Sequence, residues 1–410
     1  MISLSMAGLA AFRALRPASS SASRVAAVPY DVVSTDEARA LAAGNPLSFL
    51  HVSRAEIDLP AAATPYGDDV YRMAEKNFER LKNEAPLELE QVPRLYVYRL
   101  ATETHSQTGV AGCFSVDDYE SGVIRKHEHT RPDKEDDRTR HLLTLRAQTG
   151  PVFLTYRARN DVDLLIDAVV ATPPLYEFVA SDGVEHTIWA VDPPAEQQLI
   201  AAFGLVPALY IADGHHRAAS AARARKHLAG PARVRGDWDS FLAVAFPDRQ
   251  LQILPYNRVV HDLAGMTAAR FLETLRQRAT VKEGPASPAR RGETAMFLDG
   301  KWYTLVLGDA DAAARPADRL DVTRLHDAVL GPLLQIGDVR TDTRIDFVGG
   351  VRGTADLEAR VRTGAAAVAF SMYPVDIQDL MAITDDGGIM PPKSTWFEPK
   401  LRDGLLSHLV

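Results

Sequence analysis

The segment that most constrains this chain is Leu209–Arg217, where the apolar run Leu-Tyr-Ile-Ala stops abruptly at Asp-Gly-His-His-Arg. An alanine-rich stretch, Ala218–Arg223, follows directly. Apolar residues that end at a glycine turn predict a buried strand, and a run of alanines favours a helix. The sequence therefore predicts a strand, a tight turn at Gly214, and a helix whose first residues carry two imidazoles and a guanidinium.

This predicted turn has the chemistry of an anion site. The first N–H groups of a helix lack partners inside the helix, and the helix dipole favours negative charge there. Arg217 adds a guanidinium suited to a bidentate contact with phosphate, and His215 and His216 lie beside it. A structural interpretation stays open, in which Asp213 only caps the helix and Gly214 only provides a turn with positive φ. The functional interpretation is a phosphate site at Asp213–Arg217.

The composition is that of an acidic globular protein. With 410 residues, 46% of them hydrophobic, the chain is long enough for a large core and for two or three domains. Its formal net charge of −8 argues against general nucleic-acid binding. The single cysteine, Cys113, excludes an internal disulfide and fits a reducing compartment. No apolar run has the ~18–20 residues of a membrane helix, and no secretion signal is recognisable, so we expect a cytoplasmic protein without membrane partners.

The order of the predicted elements gives a mixed α/β fold class. Strand patterns occur at 94–100, 109–116, 151–156 and 241–246, and helical patterns at 68–82, 198–203 and 218–228. After residue 262, helices and strands alternate to the end of the chain. These changes of pattern predict an N-terminal α/β segment (1–100), a central domain that carries the Asp-Gly-His-His-Arg turn (101–262), and a C-terminal α/β domain (263–410).

Three local predictions concern the N-terminal segment. Ser34 and Glu37 have the spacing of a capping box, which predicts a helix that ends before Gly44. The β-branched composition of Val25–Val33 predicts a strand, and Asn45–Ser53 reads as a turn into another strand.

A second polar cluster, Arg125–Thr130, follows the strand-like residues 122–124. Active-site residues are often found where a strand ends, and Arg125, His129 and Thr130 are therefore candidate substrate-binding residues. Glu128 lies between two histidines and is a candidate general base or metal ligand. The alternative is a solvated charged loop, which is the usual setting of a run of charges.

The histidine spacing does not match a known zinc motif. His127-Glu-His129 would place two imidazoles on opposite sides of an extended segment, and His-Glu-x-x-His is absent. A divalent site assembled in space from His129, His215, His216 and Asp213 stays an option, but we assign no metal ligands from the sequence. A magnesium ion that arrives with a nucleotide needs only one or two carboxylates and is favoured over a dedicated metal site.

Two further polar segments lie near the C-terminus. Residues 344–353 end in Gly-Gly-x-x-Gly without the lysine of a P-loop, so an ordinary strand-to-helix connection explains them as well as a ligand site does. In Met390–Thr395, two prolines hold the backbone extended and present Lys393 and Ser394, which we predict to contact an anion. The structural alternative is a packed tail anchored by Trp396.

The sequence resembles the DUF1015 family of prokaryotic proteins over essentially its whole length. The resemblance rests on Val28-Pro-Tyr-Asp31, Asn45-Pro46, Gly122–Thr130, Gly150-Pro-Val152, Ala212–Arg217, Leu254–Arg258, Asp346–Gly350 and Met390–Thr395. That family has no firmly assigned activity, so this resemblance by itself implies no reaction.

The Asp213–Arg217 turn is also similar to the signature of the ParB/sulfiredoxin-like superfamily, and in particular to its free serine kinases. This resemblance implies a central ParB/sulfiredoxin-like domain with flanking α/β domains. It also implies that the turn contacts nucleotide phosphates, with ATP or ADP and Mg²⁺ as cofactors, and that an acidic residue acts as base. Glu128 is our candidate for that base, with His215 and His216 stabilising the transferred group.

The function predicted from the sequence is transfer of phosphate from a nucleotide to a small hydroxylated metabolite, with conversion of free L-serine to O-phosphoserine as the best guess. One alternative is a ParB-like nucleotide-binding switch without small-molecule turnover. Another is a metal-assisted phosphohydrolase. A homodimer is compatible with the sequence, which does not fix the oligomeric state.

Overall fold

A computed structural model describes residues 7–61, 64, 66–85, 87–230, 234–308 and 313–410. Packing among these residues divides the chain into two compact units. The first contains the chain up to Leu251 together with Pro399–Val410, and the second contains Gln252–Glu398. The three segments expected from the sequence, with boundaries at 100 and 262, remain a prediction. Strands Tyr96–Ala101 and Ser106–Ser115 pair across the first of these boundaries, so residues on both sides of position 100 share one sheet.

Strands alternate with helices along the described chain, as the predicted mixed α/β class requires. In chain order the strands are β1 Leu9–Ala10, β2 Ala14–Arg16, β3 Glu88–Leu89, β4 Tyr96–Ala101, β5 Ser106–Ser115, β6 Ile124–Arg125, β7 Ala147–Gln148, β8 Val152–Tyr156, β9 Tyr176–Val179, β10 Glu185–Ala190, β11 Leu209–Asp213, β12 Ser240–Pro247, β13 Gln252–Leu254, β14 Tyr256–Val260, β15 Thr280–Glu283, β16 Glu293–Leu298, β17 Lys301–Val306, β18 Ile345–Gly349, β19 Val368–Met372, β20 Trp396–Glu398 and β21 Ser407–Leu409.

The helices vary from single turns to more than four turns. They are α1 Ala22–Val25, α2 Thr35–Ala42, α3 Leu50–Ser53, α4 Asp68–Glu84, α5 Val116–Ser121, α6 Pro132–Leu145, α7 Asn160–Val170, α8 Pro193–Phe203, α9 His215–Leu228, α10 Ala268–Arg276, α11 Asp321–Leu325, α12 Gly353–Arg362 and α13 Ile377–Asp385. Short 3₁₀ segments lie at Ala55–Asp58, Asp237–Asp239, Asp248–Gln250, Pro316–Arg319 and Gly350–Arg352, and a π-helical turn at His326–Leu330. No helix among the described residues combines the length and the apolar character needed to cross a bilayer.

The first unit is built on a mixed sheet with the strand order β6-β11-β8-β12-β5-β4-β10-β9, and β1 pairs with β5. At one edge, β6 runs parallel to β11, and β11 runs antiparallel to β8. The apolar strand residues predicted from the sequence fill the core, with Phe114, Leu154 and Ile211 almost fully buried. This edge of the sheet positions the candidate site.

Helix α9 packs closely because its inward side chains are small. Ala218, Ala221 and Ala224 are each at most 2% exposed and belong to the same hydrophobic cluster as the sheet residues. Burial of small side chains lets a helix backbone approach its neighbours without leaving voids. The alanine-rich sequence thus fixes the start of α9 close to the end of β11.

The N-terminal segment is helical where the sequence predicted strands. The capping box of Ser34 and Glu37 is confirmed and begins α2. The strand prediction for Val25–Val33 is wrong, because Val25 ends α1 and Pro29 lacks the N–H that a central strand needs. The strand prediction for Asn45–Ser53 is also wrong: its last residues form α3, and their apolar side chains are buried in a helical cluster with α4. A short segment rich in apolar residues does not by itself distinguish a buried strand from a buried helix.

The second unit contains an antiparallel sheet with the order β15-β17-β16-β19-β14-β18 and a separate β13-β20 pair. Helix α12 begins at Gly353, whose φ of 67° lies in the left-handed region that favours glycine. The glycine-rich segment 349–353 therefore connects a strand to a helix, which is one of the two interpretations that the sequence allowed.

Candidate functional site

Two of the polar clusters meet because of the sheet topology. Strands β6 and β11 are parallel neighbours, with Leu209 opposite Ile124 and Tyr210 opposite Arg125. The carboxyl ends of parallel neighbours lie at the same edge of a sheet, and ligand sites of α/β proteins commonly form there. The residues after Arg125 and those after Asp213 are therefore brought to one place, although about 90 residues separate them in the sequence.

Two hydrogen bonds join these clusters directly. The backbone N–H of Arg131 donates to Nε2 of His216 at 3.1 Å. The backbone N–H of His127 donates to Nε2 of His215 over a longer distance of 3.4 Å. The loop that carries Glu128 consequently lies against the first turn of α9.

The turn between β11 and α9 depends on Gly214. Its φ is 93° and its ψ is 30°, a left-handed conformation that side chains with a Cβ rarely adopt. A Cβ at this position would also lie 2.9 Å from Nε of Arg217. Gly214 is the N-cap residue of α9 and has no side chain that could cap the helix. The carboxylate of Asp213 accepts a hydrogen bond from the backbone N–H of Gly214, directly before the helix.

The guanidinium of Arg217 is directed into the protein. Its Nη1 donates to the carbonyl of Pro151, and its Nη2 donates to Oδ2 of Asp213 at 3.1 Å. Nε is buried without a hydrogen-bond partner in the described structure. Burial disfavours the cation, but the attraction of Asp213, Asp31 and Asp403 outweighs it and raises the pKa of Arg217. Arg217 therefore joins the turn to the start of β8.

Asp213 accepts from one cation and lies close to a second. Besides its bond to Arg217, Oδ2 lies 3.8 Å from Nζ of Lys400. Burial alone would raise the pKa of Asp213, but the charges of Lys400 and Arg217 lower it below its usual value. The carboxylate is thus ionised and held in place at the end of β11.

His127 and His215 form a buried pair. They are 3% and 6% exposed, and their ring centroids are 4.4 Å apart in an edge-to-face arrangement. Burial lowers the pKa of His127 to about 4 and the pKa of His215 well below its usual value, and the proximity of His127 lowers the latter further. Both rings are therefore neutral near pH 7.

The remaining residues of the 125–130 cluster are arranged along the same loop. Arg125 lies over the ring of Tyr210, with Cζ 5.6 Å from its centroid. Glu128 is partly exposed, whereas His129 is exposed. The hydroxyl of Thr130 donates to Glu135 in the first turn of α6. These contacts join the segment to β11 and to α6, and the predicted roles of its residues remain proposals.

Lys393 and Ser394 belong to the second unit. Nζ of Lys393 lies 5.6 Å from the ring centroid of Tyr256, and its carbonyl accepts a hydrogen bond from Arg258 at 3.2 Å. Ser394 is buried and donates its hydroxyl to the carbonyl of Pro391. Both side chains are thus packed against their own unit, and the anion contacts predicted for them remain a prediction.

A cavity borders the turn on the inner side of Arg217. Apolar residues such as Leu142 and Phe241 line it together with polar and charged residues, among them Tyr30, Arg138, Arg217 and Asp403. Arg138 donates to Asp137 and stacks on Tyr30, with Cζ 4.1 Å from the ring centroid. Burial raises the pKa of Asp403 to about 7, although Arg217 opposes this effect.

Sequence reasoning missed several residues at this place. Tyr30 and Asp31 belong to the Pro-Tyr-Asp motif that was quoted only for its resemblance, and Lys400 and Asp403 lie in a tail that returns to the first unit. The clearest available signal was the close spacing of Lys400, Arg402 and Asp403, which is unusual for buried residues. Nothing local in those segments indicates that they approach Arg217.

The family model described as "Protein of unknown function (DUF1015)" matches residues 9–323. No curated protein matches the chain significantly.

Solved structures that resemble the chain do so distantly. SbnI with a C-terminal truncation from Staphylococcus aureus has 12% identity and a TM-score of 0.39, over 72% of this chain and 85% of that one. A free serine kinase in complex with AMP has 12% identity and a TM-score of 0.35, over 72% and 92%. A conserved hypothetical protein from Pyrococcus furiosus has 13% identity and a TM-score of 0.36, over 73% and 95%. The family match spans most of the chain, and the chain belongs to the DUF1015 family.

Proposed function

We propose that this protein is a nucleotide-dependent kinase of ParB/sulfiredoxin-like type that phosphorylates a small hydroxylated metabolite, with free L-serine as the best candidate. The observation that carries the proposal is the position of the Glu128 loop against the first turn of α9. A candidate base and the N-terminus of α9 thus lie side by side. Phosphoryl transfer needs mainly such positioning and charge stabilisation.

The phosphates of ATP or ADP, with Mg²⁺, would bind at the N-terminus of α9. The backbone N–H groups of its first turn and the imidazole of His216 supply the contacts, and His215 lies directly beside them. Arg217 is engaged by Asp213 and Pro151, so we assign it the task of holding the turn rather than reaching toward the phosphates. Asp213 is paired with two cations, and the magnesium ion would accordingly be bound mainly by the nucleotide.

Glu128 would accept the proton of the acceptor hydroxyl. In the reaction, the serine oxygen forms a bond to the terminal phosphorus as the bond from that phosphorus to the bridging oxygen breaks. The hydroxyl proton passes to the carboxylate of Glu128, and the nucleotide leaves as ADP from ATP or as AMP from ADP. Base assistance of this kind contributes roughly 10²–10⁴-fold to a rate.

The cavity beside Arg217 supports a small zwitterionic acceptor. Arg138 and Arg217 present positive charge to it and Asp403 presents a carboxyl group, which is the complement of an amino acid's carboxylate and ammonium. Arg125, His129 and Thr130 would line the approach to Glu128, and Lys393 and Ser394 stay candidates for contact with an anion.

The proposal is tested by thermal stabilisation of the purified protein with ATP, ADP, CTP or AMP and Mg²⁺, with and without L-serine. A ligand that binds only the folded state at a hundred times its Kd stabilises by about 2.7 kcal/mol, which is a readily measured shift of Tm. We expect stabilisation by ATP or ADP, and O-phosphoserine in the mixture by mass spectrometry. L-alanine, which lacks the hydroxyl, is the matched acceptor control.

Other outcomes separate the alternatives. Stabilisation without any product favours a nucleotide-binding switch. Release of inorganic phosphate without an acceptor, abolished by chelation, favours a metal-assisted phosphohydrolase. No stabilisation by any nucleotide contradicts the phosphate site.

A further inference from the structure

Three donor side chains converge in the buried part of the site. His127, Glu128 and His215 each offer one ligand atom, and these atoms lie within 4.8 Å of one another. Ligands of a tetrahedral metal ion at ~2.1 Å are about 3.4 Å apart. The observed separations therefore need to shorten by no more than about 1.4 Å, which side-chain rotation supplies.

His127 is already oriented as a ligand. Its Nδ1 is buried and has no hydrogen-bond partner in the described structure. The ring nevertheless makes a hydrogen bond to the backbone of Ile211, which must therefore involve Nε2. A carbonyl that holds one ring nitrogen fixes the tautomer and leaves the lone pair of the other free, as the outer partners of metal-bound histidines do. Burial of a polar nitrogen without a partner costs free energy, and a cation bound to Nδ1 would remove that cost.

His215 is also free to become a ligand. Its Nε2 accepts a long hydrogen bond of 3.4 Å from the backbone N–H of His127, so this nitrogen carries a lone pair. A bond of that length is weak and is readily exchanged for a bond to a metal.

The charged residues around His127 and His215 have opposite effects on the binding of a cation there. The negative charge of Asp213 favours positive charge at His127 and His215, whereas the positive charge of Lys126 disfavours positive charge at His215. The carboxylate of Glu128 supplies the compensating charge within the cluster itself. We propose that His127, Glu128 and His215 bind one first-row transition-metal ion of the Zn²⁺ class. Imidazole nitrogens select such ions over Mg²⁺, which prefers oxygen ligands.

Three protein ligands leave at least one coordination position open. Such a site is typical of catalytic rather than structural zinc, and the open position takes water or a ligand oxygen. Glu128 binds the ion through one oxygen and keeps the other for a proton, so the metal site is compatible with its proposed role as base. The inference does not depend on the kinase proposal, because the cation is bound without a nucleotide.

The test uses the full-length protein freed of metal by chelation and titrated with Co²⁺ in the absence of nucleotide. We expect one tightly bound ion per chain, with visible absorption bands that Zn²⁺ removes by displacement. His127→Ala and Glu128→Gln should each weaken binding at least tenfold. His227→Ala removes an exposed histidine from the same helix, α9, and should leave binding unchanged.

Folding of each variant is checked by circular dichroism before titration. Glu128 is partly exposed and Gln has the same shape, so Glu128→Gln decides the test if His127→Ala does not fold. The inference is overturned if the wild type binds no Co²⁺, if Glu128→Gln binds with wild-type affinity, or if His227→Ala abolishes binding.

Discussion

The rings of His127 and His215 lie edge to face with their centroids 4.4 Å apart, although 88 residues separate them along the chain. This contact follows from the parallel pairing of β6 with β11, which delivers both segments to one edge of the sheet. The site therefore depends on the register of two short strands, and β6 contributes only two residues to it.

Replacement of Glu128 tests the proposed base. Glu128→Gln keeps the size and polarity of the side chain but cannot accept a proton, so turnover should fall by roughly 10²–10⁴-fold with nucleotide affinity changed less than threefold. Steady-state rates and ADP titrations measure the two quantities. Glu120→Gln, at an exposed residue paired with Arg225, is the control and should keep wild-type turnover. Unchanged turnover in Glu128→Gln removes this residue from the base role.

Replacement of Gly214 tests the conformation of the turn. Gly214→Ala places a Cβ 2.9 Å from Nε of Arg217 at a φ of 93°, and should lower the free energy of unfolding by about 1–3 kcal/mol. Gly44→Ala is the matched control, because Gly44 has a φ of 73° but no atom within 4 Å of the added Cβ. Gly44→Ala should lower the free energy of unfolding by no more than about 1 kcal/mol. Urea unfolding measures both, and an equal loss in the two variants would show that crowding by Arg217 is unimportant.

The close approach of Gly150 to Asp403 gives a second stability prediction. A Cβ on Gly150 would lie on the carboxylate of Asp403, within van der Waals overlap of Oδ1 and Cγ. Gly150→Ala should displace this carboxylate and destabilise the first unit by roughly 1–3 kcal/mol. Gly337→Ala, where nothing lies within 4 Å of the new Cβ, should be nearly neutral. Thermal unfolding of the two variants checks the difference, and equal Tm values contradict the contact.

The ionisation of Asp403 gives a dependence of stability on pH. Burial, with the repulsion of Asp31 and Asp213, raises the pKa of its carboxyl to about 7, while Arg217 and Arg138 oppose this rise. The ordinary pKa of 3.8 applies in the unfolded chain. Between about pH 4 and pH 7 the folded state therefore holds a proton that the unfolded state has lost, so this group's contribution to stability falls as pH rises.

Asp403→Asn removes that contribution without changing the size of the side chain. The stability of the variant relative to the wild type should increase from pH 4 to pH 7, by on the order of a few kcal/mol, and then level off. Urea unfolding at pH 4, 5.5, 7 and 8 measures the difference. A difference that does not vary with pH means that Asp403 is ionised in the folded protein.

The sequence predicted the parts of the site that are local and missed those that are assembled from a distance. The turn at Gly214 and the helix after it are determined by neighbouring residues, so their pattern was readable. The approach of Glu128 to α9 depends on pairing between β6 and β11, which no local pattern encodes. The burial of Arg217 was also not predicted, because its contacts come from remote segments. Its guanidinium donates to the carbonyl of Pro151, and the charges of Asp31 and Asp403 act on it.

The same distinction explains the N-terminal errors. Ser34 and Glu37 form a capping box because each contacts the other within one turn, and this prediction is confirmed. Val25–Val33 has the composition of a strand, but its apolar residues are buried by packing on helices rather than by pairing in a sheet. Tertiary packing overrides propensity in such short segments.

The most direct test of the central claim is calorimetric titration of ADP with Mg²⁺ into the wild type, His216→Ala and His227→Ala. His216 belongs to the first turn of α9 and accepts a hydrogen bond from the backbone N–H of Arg131, which follows the Glu128 loop. His227 is exposed near the other end of the same helix. If the Glu128 loop and the first turn of α9 form one phosphate site, ADP binds the wild type. His216→Ala then weakens ADP binding at least tenfold, which corresponds to about 1.4 kcal/mol, and His227→Ala keeps wild-type affinity. No binding to the wild type, or equal affinity in all three proteins, would contradict the account.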